Sequence, residues 1–178
     1  KLSMVIVKEQ KEAAPRHPEL LTLDEKLYIS PAMALGEATK AVAAMGHLAS
    51  VNLERGCRQL MGYHSDLDAD IDADETCLDQ FSDASDHFLI GLSKVIETVE
   101  EDRQLDLLLQ TVPSFERIGD YATNLQELGQ QMSVDNASFS ESALEELKLI
   151  CGAVNEIMQT PVTAFTQDDD ALAKTIEP

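Results

Sequence analysis

Four oxygen-bearing side chains recur within residues 115–127 at a spacing that could hold a cation. Residues three or four positions apart share one face of a helix. Glu116, Asp120 and Asn124 therefore form one file with Glu127 close beside it, which we call the acidic file. Hard cations prefer several oxygen ligands, and carboxylates one helical turn apart supply them with little loss of entropy. Spacing alone leaves a metal site and a solvated helix face open, and a solvated face is the more common arrangement.

Sequence patterns argue against an enzyme. A ferritin-like di-iron site needs a Glu-x-x-His motif on two helices. None of the four histidines has a Glu three residues before it: His17, His47, His64 and His87. The chain also contains no P-loop, no dinucleotide-binding glycine pattern and no nucleophile motif. We therefore expect a protein that catalyses no reaction.

The composition is acidic and aliphatic. The 178 residues include 13 basic and 33 acidic side chains, a formal net charge of -20, and only 4% are aromatic. Such a charge repels polyanions, so nucleic acid is an unfavourable partner. Cys57, Cys77 and Cys151 lack the spacing of a zinc site, and we expect reduced thiols in a cytosolic setting.

Hydrophobic periodicity predicts an all-α fold, an up-and-down bundle of long amphipathic helices. Ser30-Pro31 predicts the start of a first helix that ends near Met61. Residues 62–73 are predicted to form a loop. Their alternating aspartates resemble a calcium loop but lack the central Gly and the spaced Glu of an EF-hand, so we expect a solvated segment: Asp66, Asp68, Asp70 and Asp72.

Further helices are predicted over 74–102, over 103–132, after a capping box at residues 138–141, and over 168–176. In the second of the five helices we expect a seam, a stripe of apolar residues packed against the other helices, that continues through Val95 and Val99. Asp79, Asp83 and Asp86 are expected on a solvated face. Pro113 should kink the third helix. The fourth is expected to follow a capping box that begins at Ser138. Its inward positions are predicted to be Leu144, Leu147, Cys151, Val154, Met158, Pro161 and Phe165.

The stretch Phe115-Glu-Arg-Ile-Gly-Asp-Tyr-Ala-Thr-Asn-Leu-Gln-Glu127 closely resembles the signature of the PhoU family of phosphate-response proteins. Residues 22–178 are also similar to the PhoU-like region of bacterial sodium/phosphate cotransporter-family proteins. The resemblance implies a three-helix repeat over 22–133 and the start of a second, truncated repeat over 134–178. Residues 1–21 would then be a linker from an upstream membrane region.

The same resemblance implies metal binding, with iron or zinc as the metal and Glu116, Asp120, Asn124 and Glu127 as the ligands. It implies a regulatory domain on the cytoplasmic side of the plasma membrane. Its partners would be its own transmembrane transporter domain, a signalling protein or a second copy. Since the second repeat is incomplete, the metal could be absent from this fragment. The alternative is a helical interaction module with a solvated acidic face and no metal.

Overall fold

The computed structural model describes residues 22–167, and the side chains as far as residue 158. Its four α-helices confirm the all-α prediction, and no strand occurs within 22–167. The predicted linker over 1–21 and the predicted fifth helix over 168–176 lie outside the described residues. A 3-10 helix, Glu25–Ile29, precedes the four α-helices: α1 (Pro31–Met61), α2 (Asp68–Leu92), α3 (Val99–Val134) and α4 (Glu141–Gln167).

Both ends of α1 lie where the sequence predicts them. Pro31 occupies the first helical position, where its missing N–H costs nothing because that group has no partner inside the helix. The Ser30 hydroxyl makes no capping hydrogen bond; instead the Ser30 carbonyl accepts a hydrogen bond from the amide of Ala34 at 3.0 Å. Gly62 follows the last residue and ends the helix, its amide donating to the Arg58 carbonyl at 3.1 Å.

The predicted bounds of α2 and α3 are wrong. Helix α2 starts at Asp68 rather than 74, and two acidic residues in its first turn favour that start by interacting with the helix dipole. It ends at Leu92 rather than 102. Helix α3 then begins at Val99, because Thr98 and Glu101 form a capping box. Val95 and Val99 continue the heptad spacing but are exposed, so the predicted seam stops at Leu92.

Helices α1 and α3 run parallel to each other and α2 runs antiparallel to both. Gly56 of α1 touches Ala122 of α3, and further along both helices Gly129 touches Gln59. The predicted inward residues of α3 are buried at Leu105, Leu108, Val112, Phe115 and Ala122 and half-buried at Ile118 and Leu125. The exposed Pro113 does not end α3, which continues across it as one helix.

Helix α4 packs against α1 and starts later than the predicted capping box. The Ser140 hydroxyl, rather than that of Ser138, accepts a hydrogen bond from the Ala143 amide at 3.2 Å. Val154 was predicted to face inward, but it is exposed, while the neighbouring Asn155 is half-buried. The side chains of Pro161 and Phe165 lie outside the described part of the chain. The outer side of α4 carries large exposed apolar residues: Leu149, Ile150 and Ile157.

Candidate metal centre

The acidic file lies on the side of α3 that turns towards α2. At its middle, the buried Gly119 lets the two helices approach closely. A Cβ added at this position would lie 2.6 Å from Cδ1 of Leu78 on α2, well inside normal contact distance. Glu116 is half-buried at this junction, and Asp120 is exposed beside it.

The close approach brings two α2 carboxylates to the acidic file. Carboxylate oxygens of Glu75, Asp79 and Asp120 all lie within 4.8 Å of one another. Glu75 is half-buried, and the other two are exposed. We refer to these three residues and Glu116 as the carboxylate cluster. Each helix contributes one Glu-x-x-x-Asp pair, so the four carboxylates face one another across the contact between α2 and α3.

Partial burial and then mutual repulsion disfavour the charged forms of the two glutamates. Burial raises the pKa of Glu75 first, and the charges of Asp79 and Asp120 raise it further. The pKa of Glu116 is likewise raised by burial and then by Asp120 and Asp79, while Arg117 opposes that shift. Within residues 22–158, no Lys or Arg forms an ion pair with any carboxylate of the cluster. The local charge would favour a bound cation.

The structure brings Asp120 and Glu116 of the acidic file together with α2, but it does not bring Glu127 into the three-carboxylate group. Asn124 and Glu127 lie one and two turns further along α3 and are exposed. The inner positions belong to the two Glu-x-x-x-Asp pairs.

Glu75 and Asp79 are the residues that sequence reasoning missed. Asp79 was expected on a solvated face of α2, and Glu75 had no assigned role. The available signal was the repeated spacing, since Glu75-x-x-x-Asp79 has the same form as Glu116-x-x-x-Asp120. Which face of α2 meets α3 depends on tertiary packing, and spacing within one helix does not report it.

The Asp-rich segment after α1 is not a calcium loop. Asp68 starts α2 and accepts hydrogen bonds from Gln59 Nε2 at 2.7 Å and from the Tyr63 hydroxyl at 2.5 Å. Gln59 also donates to the His64 carbonyl at 2.9 Å and accepts from the His64 amide at 2.6 Å. These bonds fix the turn between α1 and α2 and occupy the Asp68 carboxylate.

Comparison of the chain with protein-family models, with curated proteins and with solved structures gave no match in any of the three. Among the described helices, none combines the length and the apolar character that crossing a bilayer requires.

Proposed function

We propose that this chain binds a divalent or trivalent metal ion through the carboxylate cluster. The observation that carries the proposal is the pairing of two Glu-x-x-x-Asp motifs across α2 and α3, which gathers three carboxylates within 4.8 Å. Carboxylate oxygens suit hard cations, and rigid helices hold them with little ordering cost. Iron or zinc is the metal that the resemblance to the PhoU family implies.

Glu75, Asp79, Glu116 and Asp120 would hold the ion. Burial, and then the charges of the neighbouring carboxylates, raise the pKa of both glutamates, and the bound ion would offset both effects. It would also join α2 to α3, because each helix supplies two ligands. The role is therefore structural or regulatory, and we propose no catalytic step.

At the level of the whole protein, we propose a PhoU-like regulatory domain of a sodium-dependent phosphate transporter, on the cytoplasmic side of its membrane. The support is the resemblance of residues 115–127 together with the all-α bundle. The apolar outer side of α4 supports the start of a second repeat, because a helix that is apolar on two sides needs neighbours on both.

Metal binding is tested by elemental analysis of protein purified without chelator, followed by thermal unfolding of the stripped protein with added Fe²⁺, Mn²⁺ or Zn²⁺. A ligand that binds only the native state raises the unfolding temperature as its concentration rises. We expect one of these ions to raise the unfolding temperature of the wild type. The same ion should leave the unfolding temperature of the double variant Glu75→Gln plus Asp120→Asn unchanged.

The matched control is Asp83→Asn plus Asp86→Asn. It also removes two negative charges, both of them exposed, but from the part of α2 beyond the cluster. It should keep the metal response of the wild type. If both double variants respond like the wild type, the acidic face is merely solvated, and the chain is better described as a helical interaction module without metal.

The transporter role needs a separate measurement in the full-length protein. We expect the cluster variant to alter sodium-dependent phosphate uptake in cells, while its amount in the membrane stays at the wild-type level. Uptake that is unchanged at equal expression would contradict regulation through this site. That result would not affect the conclusion about metal binding, which is measured on the isolated chain.

A further inference from the structure

Two of the three cysteines meet across the contact between α1 and α4. Cys57 of α1 is buried and Cys151 of α4 is half-buried. Their side chains are in hydrogen-bonding contact although about 95 residues of chain separate them. Cys77 lies on a different helix, α2. The pair is remote in sequence from the carboxylate cluster and contributes nothing to metal binding there.

The surface of α1 that carries Cys57 includes several small side chains. At about 100° per residue, Ala43, Gly46, Ser50 and Cys57 fall on one side of the helix. The distance between packed helix axes depends on the side chains at the contact, so small residues permit a close approach. A disulfide requires Cα atoms within about 7 Å, which needs such an approach between two helices.

We propose that Cys57 and Cys151 form a reversible disulfide that locks α4 onto α1 under oxidising conditions. In the reduced state, packing alone holds α4 on the bundle. Oxidation would add a covalent link between α1, which belongs to the α1–α3 bundle, and α4. The inference concerns how α4 is attached and does not rest on the proposed metal site.

The oxidant we propose is a peroxide. The Cys151 thiolate attacks one peroxide oxygen of H₂O₂, the O–O bond breaks, and the leaving hydroxide takes a proton to become water. The Cys57 thiol then loses its proton and attacks the Cys151 sulfur, the S–O bond of the sulfenic acid breaks, and a second water leaves. Two thiols lose two electrons and two hydrogens in total, and one peroxide is reduced to two waters.

The order of these steps follows from the difference in solvent exposure between the two thiols. Cys151 is the more accessible thiol, and the thiolate is the reactive form. Burial, and then the hydrogen bond with Cys151, raises the pKa of Cys57 to about 12. Cys57 therefore acts second, when a sulfenic acid already lies beside it.

The experiment treats the 178-residue chain with H₂O₂, alkylates the remaining thiols under denaturing conditions, and maps the unreduced peptides by mass spectrometry. We expect a peptide that links Cys57 to Cys151, while Cys77 is alkylated. The link should close a loop of about 95 residues and raise the unfolding temperature by about 10 °C, an increase that a dithiol reductant reverses.

Two variants make the result specific. Cys77→Ser should retain the crosslink and the temperature increase, and Cys151→Ser should lose both. The proposal is overturned if Cys57 of the oxidised wild type is found alkylated, if crosslinks to Cys77 form instead, or if the unfolding temperature does not rise. The wild-type peptide map decides the matter even if a variant fails to fold.

Discussion

Glu75 on α2 and Asp120 on α3 present carboxylate oxygens within 4.8 Å of each other, in a group that Asp79 completes. Like charges at this distance repel, and no described Lys or Arg pairs with them to offset the repulsion. The contact at Gly119 and Leu78 nevertheless holds the helices together there. The packing of the core thus imposes an electrostatic arrangement that protons or a cation would relieve.

Acidification should stabilise the metal-free protein through this cluster. The pKa values of Glu75 and Glu116 lie above their usual value of 4.5, so the native state takes up protons at a higher pH than the unfolded chain. These two groups therefore stabilise the protein increasingly as the pH falls through their raised native-state pKa values. The gain is complete once the pH lies below their pKa in the unfolded chain. Urea unfolding at about pH 7 and about pH 5 measures the difference.

In the same experiment, Glu75→Gln should gain less stability than the wild type between the two pH values, because Gln cannot take up the proton. Asp83→Asn, on the same helix but beyond the cluster, serves as the control and should gain as much as the wild type. An equal gain in Glu75→Gln and the wild type would mean that other carboxylates cause the pH dependence.

Substitution of Gly56 should loosen the contact between α1 and α3. An added Cβ would lie 2.7 Å from the Ala122 carbonyl oxygen. This oxygen belongs to the backbone of α3, which cannot move aside as the end of a flexible side chain could. We expect Gly56→Ala to lower the free energy of unfolding by about 1–3 kcal/mol, as overpacked cores do. Gly36→Ala is the matched control, since that position in α1 has open space around it. Alanine should there raise stability by about 0.5–1 kcal/mol, and equal effects at both positions would refute the packing argument.

Among the glutamines whose side chains the structure describes, Gln59 should be the most costly to replace. It is fully buried and holds the turn between α1 and α2 through His64 and Asp68. Gln59→Leu keeps the volume but leaves these groups without their partner, at a cost of about 1–3 kcal/mol for each group that stays buried. The exposed Gln110→Leu should change the free energy of unfolding by less than about 0.5 kcal/mol. Chemical denaturation of both variants makes the comparison.

The ion pair between Arg55 and Asp74 should matter more than the exposed pairs. Asp74 is buried, and its carboxylate accepts a hydrogen bond from the Arg55 guanidinium. Asp74→Ala leaves Arg55 without this partner inside the fold, and we expect a loss of about 3 kcal/mol. Glu37→Ala breaks the largely exposed pair with Lys40 and should cost about 0.5 kcal/mol or less. Similar losses for both would show that burial does not set the strength of the first pair.

Local signals account for what the sequence predicted well. Ser30-Pro31 and Gly62 fix α1 because a proline at the first turn and a glycine after the last act within a few residues. The bounds of α2 were wrong because heptad spacing persists through Val95 and Val99 after the helix has ended. The capping pair Thr98 and Glu101 was visible in the sequence and is the stronger local signal.

Only the two residues of the candidate site that lie on α3 could be predicted from the sequence, for a related reason. Glu116 and Asp120 stand out because they share a helix face, and helix periodicity alone reveals that. Their partners Glu75 and Asp79 come from another helix, and the side of α2 that meets them is set by how Leu78 packs against Gly119. A contact between distant parts of the chain is not encoded in the spacing of either segment.

The position of α1 between the other helices implies a gradient of hydrogen exchange. It contacts α2, α3 and α4, and most of its residues are buried or half-buried. Helix α4 packs mainly on α1 and is exposed along most of its length between residues 141 and 157. Opening α4 alone exposes less apolar surface than opening α1, so its amides should exchange first and those at the centre of α1 last.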